Sequence, residues 1–276
     1  MANNVRIIAD SLTVGSDRLT TYELKYWRAV HAELMTHRVF SRNASSSRAI
    51  PVAKVLAQVW SDPAGPEYWG SNQAGMQAGA ELSGISLVLA KSVWKWSGRA
   101  MCVAAWTMMK LGMHKQVANR LLEPWQYITV VLTSSKYDNW FELRDHADAQ
   151  PEIASLARKM RLAREDSVPS ILSVGDWHLP YVTSEERNNK LFKLMHLIKF
   201  SVARCARVSY LTHDKKVPDV LNDMVLYDRL VGAKPWHASP LEHQATPATK
   251  QFMCSNGNLS VGWTQYRKLF EEGIEA

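Results

Sequence analysis

The stretch RLTTYELKYW, Arg18–Trp27, alternates with a period of two: Thr20, Tyr22, Leu24 and Tyr26 fall on one face, Thr21, Glu23 and Lys25 on the other. That is the period of a strand with one strongly apolar side. VRIIA, at 5–9, reads as a strand just before it, and WQYITVVLTSS, at 125–135, as a buried strand rich in β-branched residues. Helical spacing marks RAVHAELMTHR (28–38), KYDNWFELR (136–144), PEIASLARKMRLARE (151–165), KLFKLMHLIKFSVARCARVSY (190–210) and the final GWTQYRKLFEE (262–272). A shorter helix is expected in KQVANRLLE, ahead of Pro124. These elements follow one another without regular β-α-β repetition, so the expected fold is α+β, a mixed or antiparallel sheet with flanking helices, rather than a doubly wound sheet.

The longest helix is expected over 82–109. There Leu82, Ile85, Leu89, Val93, Trp96, Ala100 and Val103 recur every three or four residues, and Gly112 is placed to end the run. Lys91, Lys95 and Arg99 interrupt it at a spacing that is costly inside a bilayer, so it reads as a helix of a soluble protein. The start, MANNVRIIADSL, lacks the pattern of a secretory leader, and a cytoplasmic chain is expected. All 276 residues are expected to form a single domain, with a loop excursion at about 166–189 where Pro169, Gly175, Pro180 and TSEERNNK cluster.

A formal charge of +7 with 46% apolar residues describes a globular chain that attracts anions. No run of five basic residues occurs, which suits pockets for small phosphorylated ligands better than a nucleic-acid stripe. Cys102, Cys205 and Cys254 form no CxxC pair and are expected in the core. His31 and His37, like His237 and His243, lack the i, i+4 placement of a zinc-binding helix, so no metal is expected. Neither GxGxxG nor GxxxxGK[ST] is present, and any nucleotide cofactor must therefore be held by side chains.

MTHRVFSRNASSSRAIP, at 35–51, has the composition for that task and is expected to straddle a helix end and a loop. Arg38 and Arg48 offer planar multi-donor forks, and Ser41, Asn43 and Ser46 add donors that turn either way; a solvated surface loop is the competing reading. Asn139 and Arg144 lie near one helical face, as surface polars or as ligand contacts. HASPLEH, at 237–243, sets His237, Ser239, Glu242 and His243 around a proline that can open a helix, where Ser239 serves either as an N-cap or at an anion site.

Together these pieces resemble the flavin-dependent thymidylate synthase family. His37, Arg38, Ser41, Asn43, Ser46 and Arg48 match that family's histidine-arginine motif; ARVSY (206–210) and HASPLEH match its ARxSY and HxSPxEH forms. Arg120, Pro124, Asn139, Arg144, Ala149 and Gln150 match a third region. The order of motifs is circularly permuted, similar to a bacteriophage branch of the family, which would place the chain in the host cytoplasm.

The resemblance implies a homotetramer with active sites between subunits. It further implies FAD as cofactor, methylenetetrahydrofolate as one-carbon donor, NADPH as reductant, and conversion of dUMP to dTMP. His37, Arg38, Asn139, His237, Ser239 and Glu242 would contact FAD. Ser46, Arg48, Arg120, Arg144 and Glu33 would hold dUMP, with catalysis assigned to Ser46 and Arg48. Four positions depart from the pattern: Thr36 replaces an arginine, Ala44 a glutamate, Glu33 a glutamine and Asp148 a histidine. Arg28 and Arg42 are the candidates to restore the missing charge, and Gln73 and Gln77 the missing amides. An acceptor-only carboxylate at 33 also suits the amino group of a cytosine, so a methylase or hydroxymethylase acting on dUMP or dCMP for modified phage DNA stays open. So does a non-catalytic nucleotide- or nucleic-acid-binding relative.

Overall fold

A computed structural model describes residues 3–208, 219–249 and 256–274. The chain opens with β1 (Asn4–Thr13) and β2 (Arg18–Trp27), an antiparallel hairpin, then a 3-10 turn at Arg28–Val30 running into α1 (His31–Met35). β3 (Ser41–Ala44), α2 (Val52–Ser61), α3 (Gly84–Lys110) and α4 (Lys115–Ala118) follow. A 3-10 helix at Asn119–Trp125 leads into β4 (Tyr127–Ser134), α5 (Asp138–Arg144), α6 (Pro151–Asp166) and β5 (Ser170–Leu172). After α7 (Ser184–Asn188) come α8 (Leu194–Arg207), α9 (Val220–Gly232), a 3-10 helix at Ser239–Glu242, β6 (Ala245–Pro247), β7 (Trp263–Gln265) and α10 (Tyr266–Glu271). The main sheet has the order β3-β4-β2-β1-β5, antiparallel except for β1 with β5, and β6 pairs with β7 apart from it. This is the expected α+β architecture with a mixed sheet and flanking helices.

The alternation in β2 sorts the two faces of the sheet. Tyr22, Leu24 and Tyr26 stand opposite Leu132, Val130 and Ile128 of β4, and α1, α5 and α6 bury them with Leu34, Trp140, Leu156 and Met160. Each such side chain contributes about 1.5–3 kcal/mol on burial. On the other face Thr21 stands opposite Thr133 and Glu23 opposite Val131; α8 covers this side, setting Cys205 and Val208 against Val131. α8 is tied to its neighbours by Arg204, buried, which donates twice to Glu186 of α7 at 2.6 and 2.7 Å and once to Asp223 of α9 at 2.7 Å.

Three expectations change. The run expected as a loop after His37 contains a strand: Ser41–Ala44 pairs with Thr133–Val130 of β4 and forms the edge of the sheet. Backbone pairing and side-chain hydrogen bonds stabilise it in place of β-branched residues, since Ser41 donates to Asn258 and Arg42 to two carbonyls. The loop-rich stretch at 166–189 carries β5, which adds a parallel strand beside β1. α3 forms where expected and ends before Gly112 at φ 85°, but its periodic stripe faces outward: Ile85, Leu89, Val93, Trp96 and Val103 are exposed. The buried side of α3 is Gly98, Cys102 and Ala105, because a close approach to Trp125 demands small residues; a Cβ on Gly98 would lie 2.9 Å from the indole. Cys102 and Cys205 are buried as expected, while Cys254 and the Ser209 and Tyr210 of ARVSY lie outside the described residues. Among the described residues no helix is long and apolar enough to cross a membrane.

Candidate functional site

The edge strand β3 is where the separated motifs meet. At its start, α1 ends and the chain turns through Thr36 and His37. Arg144, in the last turn of α5, reaches across with Nη1 donating to Glu33 at 2.8 Å, Nε to His37 Nε2 at 3.4 Å and Nη2 to Thr36 Oγ1 at 3.4 Å. Thr36 therefore supplies a neutral oxygen to a guanidinium that a second arginine at that position would repel. The His37 ring packs edge-on against Trp140, with centroids 4.8 Å apart, and stacks on Phe40. Burial, then Arg144 and Arg42, lower the His37 pKa, so its imidazole is neutral at neutral pH and Nε2 is free to accept.

Arg42, one of the two candidates for the missing motif charge, lies against the residues that flank Thr36. It donates to the Met35 and His37 carbonyls at 3.1 and 3.3 Å, closing the C-terminal end of α1. Burial lowers its pKa, while the nearby carboxylate of Glu242 opposes that shift. Arg28, the other candidate, donates to the Ser45 carbonyl at 3.4 Å and is paired with Glu123 at 3.2 Å. His31 sits between these arginines, accepting or donating at Tyr26 OH (2.7 Å), and burial together with Arg28 and Arg42 brings its pKa down to about 4.

Beside β3 lies the 3-10 helix of HASPLEH. Gln265 of β7 joins the two, its Nε2 donating to the Glu242 carbonyl at 2.9 Å, to Asn258 at 2.9 Å and to Ser41 Oγ at 3.3 Å. The Glu242 side chain forms an ion pair with Arg267 of α10. The motif's last residue, His243, anchors it from beneath through a buried polar chain on the second face of the sheet. Its Nδ1 meets Thr133 at 2.8 Å, Thr133 meets Thr21 at 2.7 Å, Thr21 meets His178 Nε2 at 2.7 Å, and His178 Nδ1 meets Ser11 at 2.8 Å. Both histidines are fully buried, and burial brings each pKa down to about 3. Each neutral ring has one donor and one acceptor nitrogen, so the chain is polarised in one direction throughout.

At the other end of β3, Ser46 begins a turn that packs on the 3-10 helix at Asn119–Trp125. Glu123 gathers Ser47 (2.7 Å), Arg120 (3.1 Å) and Arg28, while Asn119 donates to the Ser47 and Ile50 carbonyls. Arg120 is thus held next to the Ser46–Arg48 turn, and Arg144 next to Glu33 and His37. The structure does not bring these two groups together within one chain's hydrogen-bonding network. Arg38, Arg48, Asn139, His237 and Ser239 are exposed, and their side chains make no hydrogen bond among the described residues. Ser239 does not cap its helix, so the N-cap reading does not apply.

A cleft of ≈ 750 Å³ opens beside Arg144 and Glu33, walled by Trp27, Tyr68, Gln77 and Asp148. Gln77 donates to Asp148 at 2.7 Å, and Gln73 donates to the Gln77 carbonyl, so the 73–77 loop closes one wall of the cleft. Arg267 and His178 join this neighbourhood from segments with no motif of their own, while Glu123 lies inside the Arg120–Pro124 stretch at a position to which the motif assigns no role. The donors converging on the β3 edge can hold an anion, and the cleft can hold a flat ring.

No family model matches the chain, and no curated protein sequence does. Solved structures similar to it include a UMP/dUMP methylase, PolB, from Streptomyces cacaoi bound with 5-Br UMP, at 14% identity over 59% of this chain and 88% of that one, TM-score 0.47. Another is the flavin dependent thymidylate synthase ThyX from Helicobacter pylori complexed with FAD and dUMP, at 16% identity over 55% of this chain and 68% of that one, TM-score 0.35.

Proposed function

We propose that this chain is a flavin-dependent enzyme that methylates dUMP to dTMP, taking the carbon from methylenetetrahydrofolate and reducing equivalents from NADPH. The observation that carries the reading is the convergence on β3 of three segments far apart in sequence, 33–48, 139–144 and 237–242, each bearing the residues that match the family's motifs. The donor set fits a phosphate-bearing flavin: Arg38 is exposed and unpaired among the described residues, Arg42 and His37 line the strand edge, and the buried Asn43 Nδ2 has no hydrogen-bond partner there. His37, Arg38, Asn139, His237, Ser239 and Glu242 would hold FAD, which when bound supplies the redox chemistry.

The chain's own residues bind, orient and stabilise charge. Uracil C5 is a weak nucleophile until negative charge develops toward O4, and fixed guanidinium donors favour that charge without reorganising. Arg144 is pre-set for this role by Glu33, His37 and Thr36, which hold its fork in one orientation before any ligand arrives. Ser46 and Arg48, with Arg120, lie at the opposite end of β3, and a four-residue strand spans roughly 13 Å. The reading therefore has Ser46, Arg48 and Arg120 of one copy completing a dUMP site with Glu33 and Arg144 of another, in a homo-oligomer up to a tetramer.

The test is an absorbance spectrum of the purified protein with and without added FAD, followed by anaerobic addition of NADPH. A bound flavin that bleaches supports the reading; a protein that neither retains nor rebinds FAD overturns it. Salt-dependent DNA affinity without flavin reduction would favour a binding protein instead.

A further inference from the structure

The outward stripe of α3 has no partner in this chain. Leu89, Val93, Trp96, Ala100, Val103 and Thr107 are spaced 4, 3, 4, 3 and 4 residues apart, the alternation of fours and threes that keeps a seam against a second helix. At about 100° per residue their mean direction lies roughly 175° from that of Gly98, Cys102 and Ala105, which face the core. All six are exposed; Val93 reaches 65% and Trp96 63%. A surface helix needs only one apolar side, so a helix apolar on both is built to be covered twice.

We propose that α3 pairs antiparallel with α3 of a second copy of this chain, about a two-fold axis at the level of Gly98. In that register Trp96 faces Ala100 of the other copy, Val93 faces Val103, and Leu89 faces Thr107. Each large side chain meets a smaller or equal one, and every contact occurs twice, as an isologous interface requires. The seam carries no charge. Arg99 lies on its flank with the guanidinium folded over Trp60 of α2 and Trp96, at 5.5 and 4.9 Å from the ring centroids. The one hydroxyl in the seam, that of Thr107, already donates to the Val103 carbonyl at 3.0 Å and loses nothing on burial.

The size is adequate. α3 is on the order of 40 Å long. Together with the apolar groove between it and α2, lined by Leu56 and Trp60 of α2 and Trp106 of α3, the face is about two helix diameters, ~20 Å, wide, giving on the order of 800 Å² per partner, the amount a stable dimer buries. The pairing deepens the functional reading by giving the copy-sharing part of it a partner surface, and it rests on that reading for nothing else.

Two measurements on the full chain test it. Sedimentation equilibrium should find the native chain at least dimeric, and Val93→Glu should weaken association at least 100-fold without altering the far-UV circular dichroism. Under mild oxidation the double variant V93C/V103C should form a disulfide-linked dimer while V93C alone does not. In the antiparallel register the two copies of position 93 are roughly 15 Å apart along the axis, beyond the ~7 Å reach of a disulfide. A monomeric native chain overturns the pairing, as does crosslinking of V93C alone, or an oligomer that Val93→Glu leaves intact and V93C/V103C does not trap. A monomer that still reduces a bound flavin sinks the pairing and leaves the chemistry standing; a colourless dimer does the reverse.

Discussion

Acidification should destabilise this protein well above the pH at which carboxylates titrate, because of the chain from Ser11 to His243. His178 and His243 are held neutral with pKa values of about 3, against about 6.5 for an exposed imidazole. Between those values the unfolded state binds protons that the folded state cannot, so stability is greatest above pH 6.5 and falls as the pH drops toward 3. At pH 5.5 the two histidines together account for a loss of about 3 kcal/mol. His31, brought down to about 4, adds in the same direction, less for its partial exposure. The assay is urea unfolding at pH 7.5, 6.5 and 5.5 at one protein concentration, since association would otherwise shift the midpoint. The imidazole resonances of His178 and His243 should not titrate above pH 4. An unfolding free energy that is flat from pH 7.5 to 5.5, or two imidazoles titrating near 6.5, would refute the buried neutral chain.

Other consequences are separate. Arg48→Ala and Arg144→Ala should each weaken dUMP binding by roughly 10- to 150-fold, the value of one charge-assisted hydrogen bond set, while the urea midpoint moves little; calorimetry showing normal affinity in both removes their assignment to the dUMP site. Arg204→Ala removes the cation that half-buried Glu186 and buried Asp223 share, Asp223 keeping Arg207 at 2.9 Å, and should cost about 3 kcal/mol; a loss under 1 kcal/mol would mean the ion pairs do not join α7, α8 and α9 as described. Gly98→Ala gains helix propensity but forces a Cβ into the Trp125 indole, and overpacking of about 1–3 kcal/mol should outweigh the gain. A raised melting temperature would show that the two helices give way.

The fold was legible where one physical pattern dominates. β2 and β4 announce themselves by period-two alternation and β-branched content, and α6 by a periodic run opened by Pro151. β3 was hidden because Ser-Arg-Asn-Ala has neither; the neighbours that hold Ser41, Asn258 and Gln265, lie more than 200 residues away. α9 went unread although Asp219 caps it by accepting from the Leu221 and Asn222 amides, a local signal that the sequence carries. The outward turn of α3 was hidden for the opposite reason: with apolar residues on both sides, periodicity picks a stripe but does not say which side meets the core.

The site divides in the same way. Motif offsets single out His37 and Arg144 in separate motifs, and the structure sets Arg144 Nε 3.4 Å from His37 Nε2. They do not show that Glu33 engages Arg144, that Arg42 closes α1, or that His243 hangs from His178 through two threonines. Those links depend on register across β2 and β4, where a slip of one residue would send Thr21 and Thr133 to the apolar face.

The measurement that bears most directly on the central claim is the product formed from nucleotide. Purified protein with FAD, NADPH and methylenetetrahydrofolate is given dUMP and, in parallel, dCMP, and the products are identified by mass spectrometry. The account predicts dTMP from dUMP, dependent on both NADPH and the folate. Turnover of dCMP alone, a hydroxymethylated product, or no product from a protein that binds flavin and dUMP would contradict it.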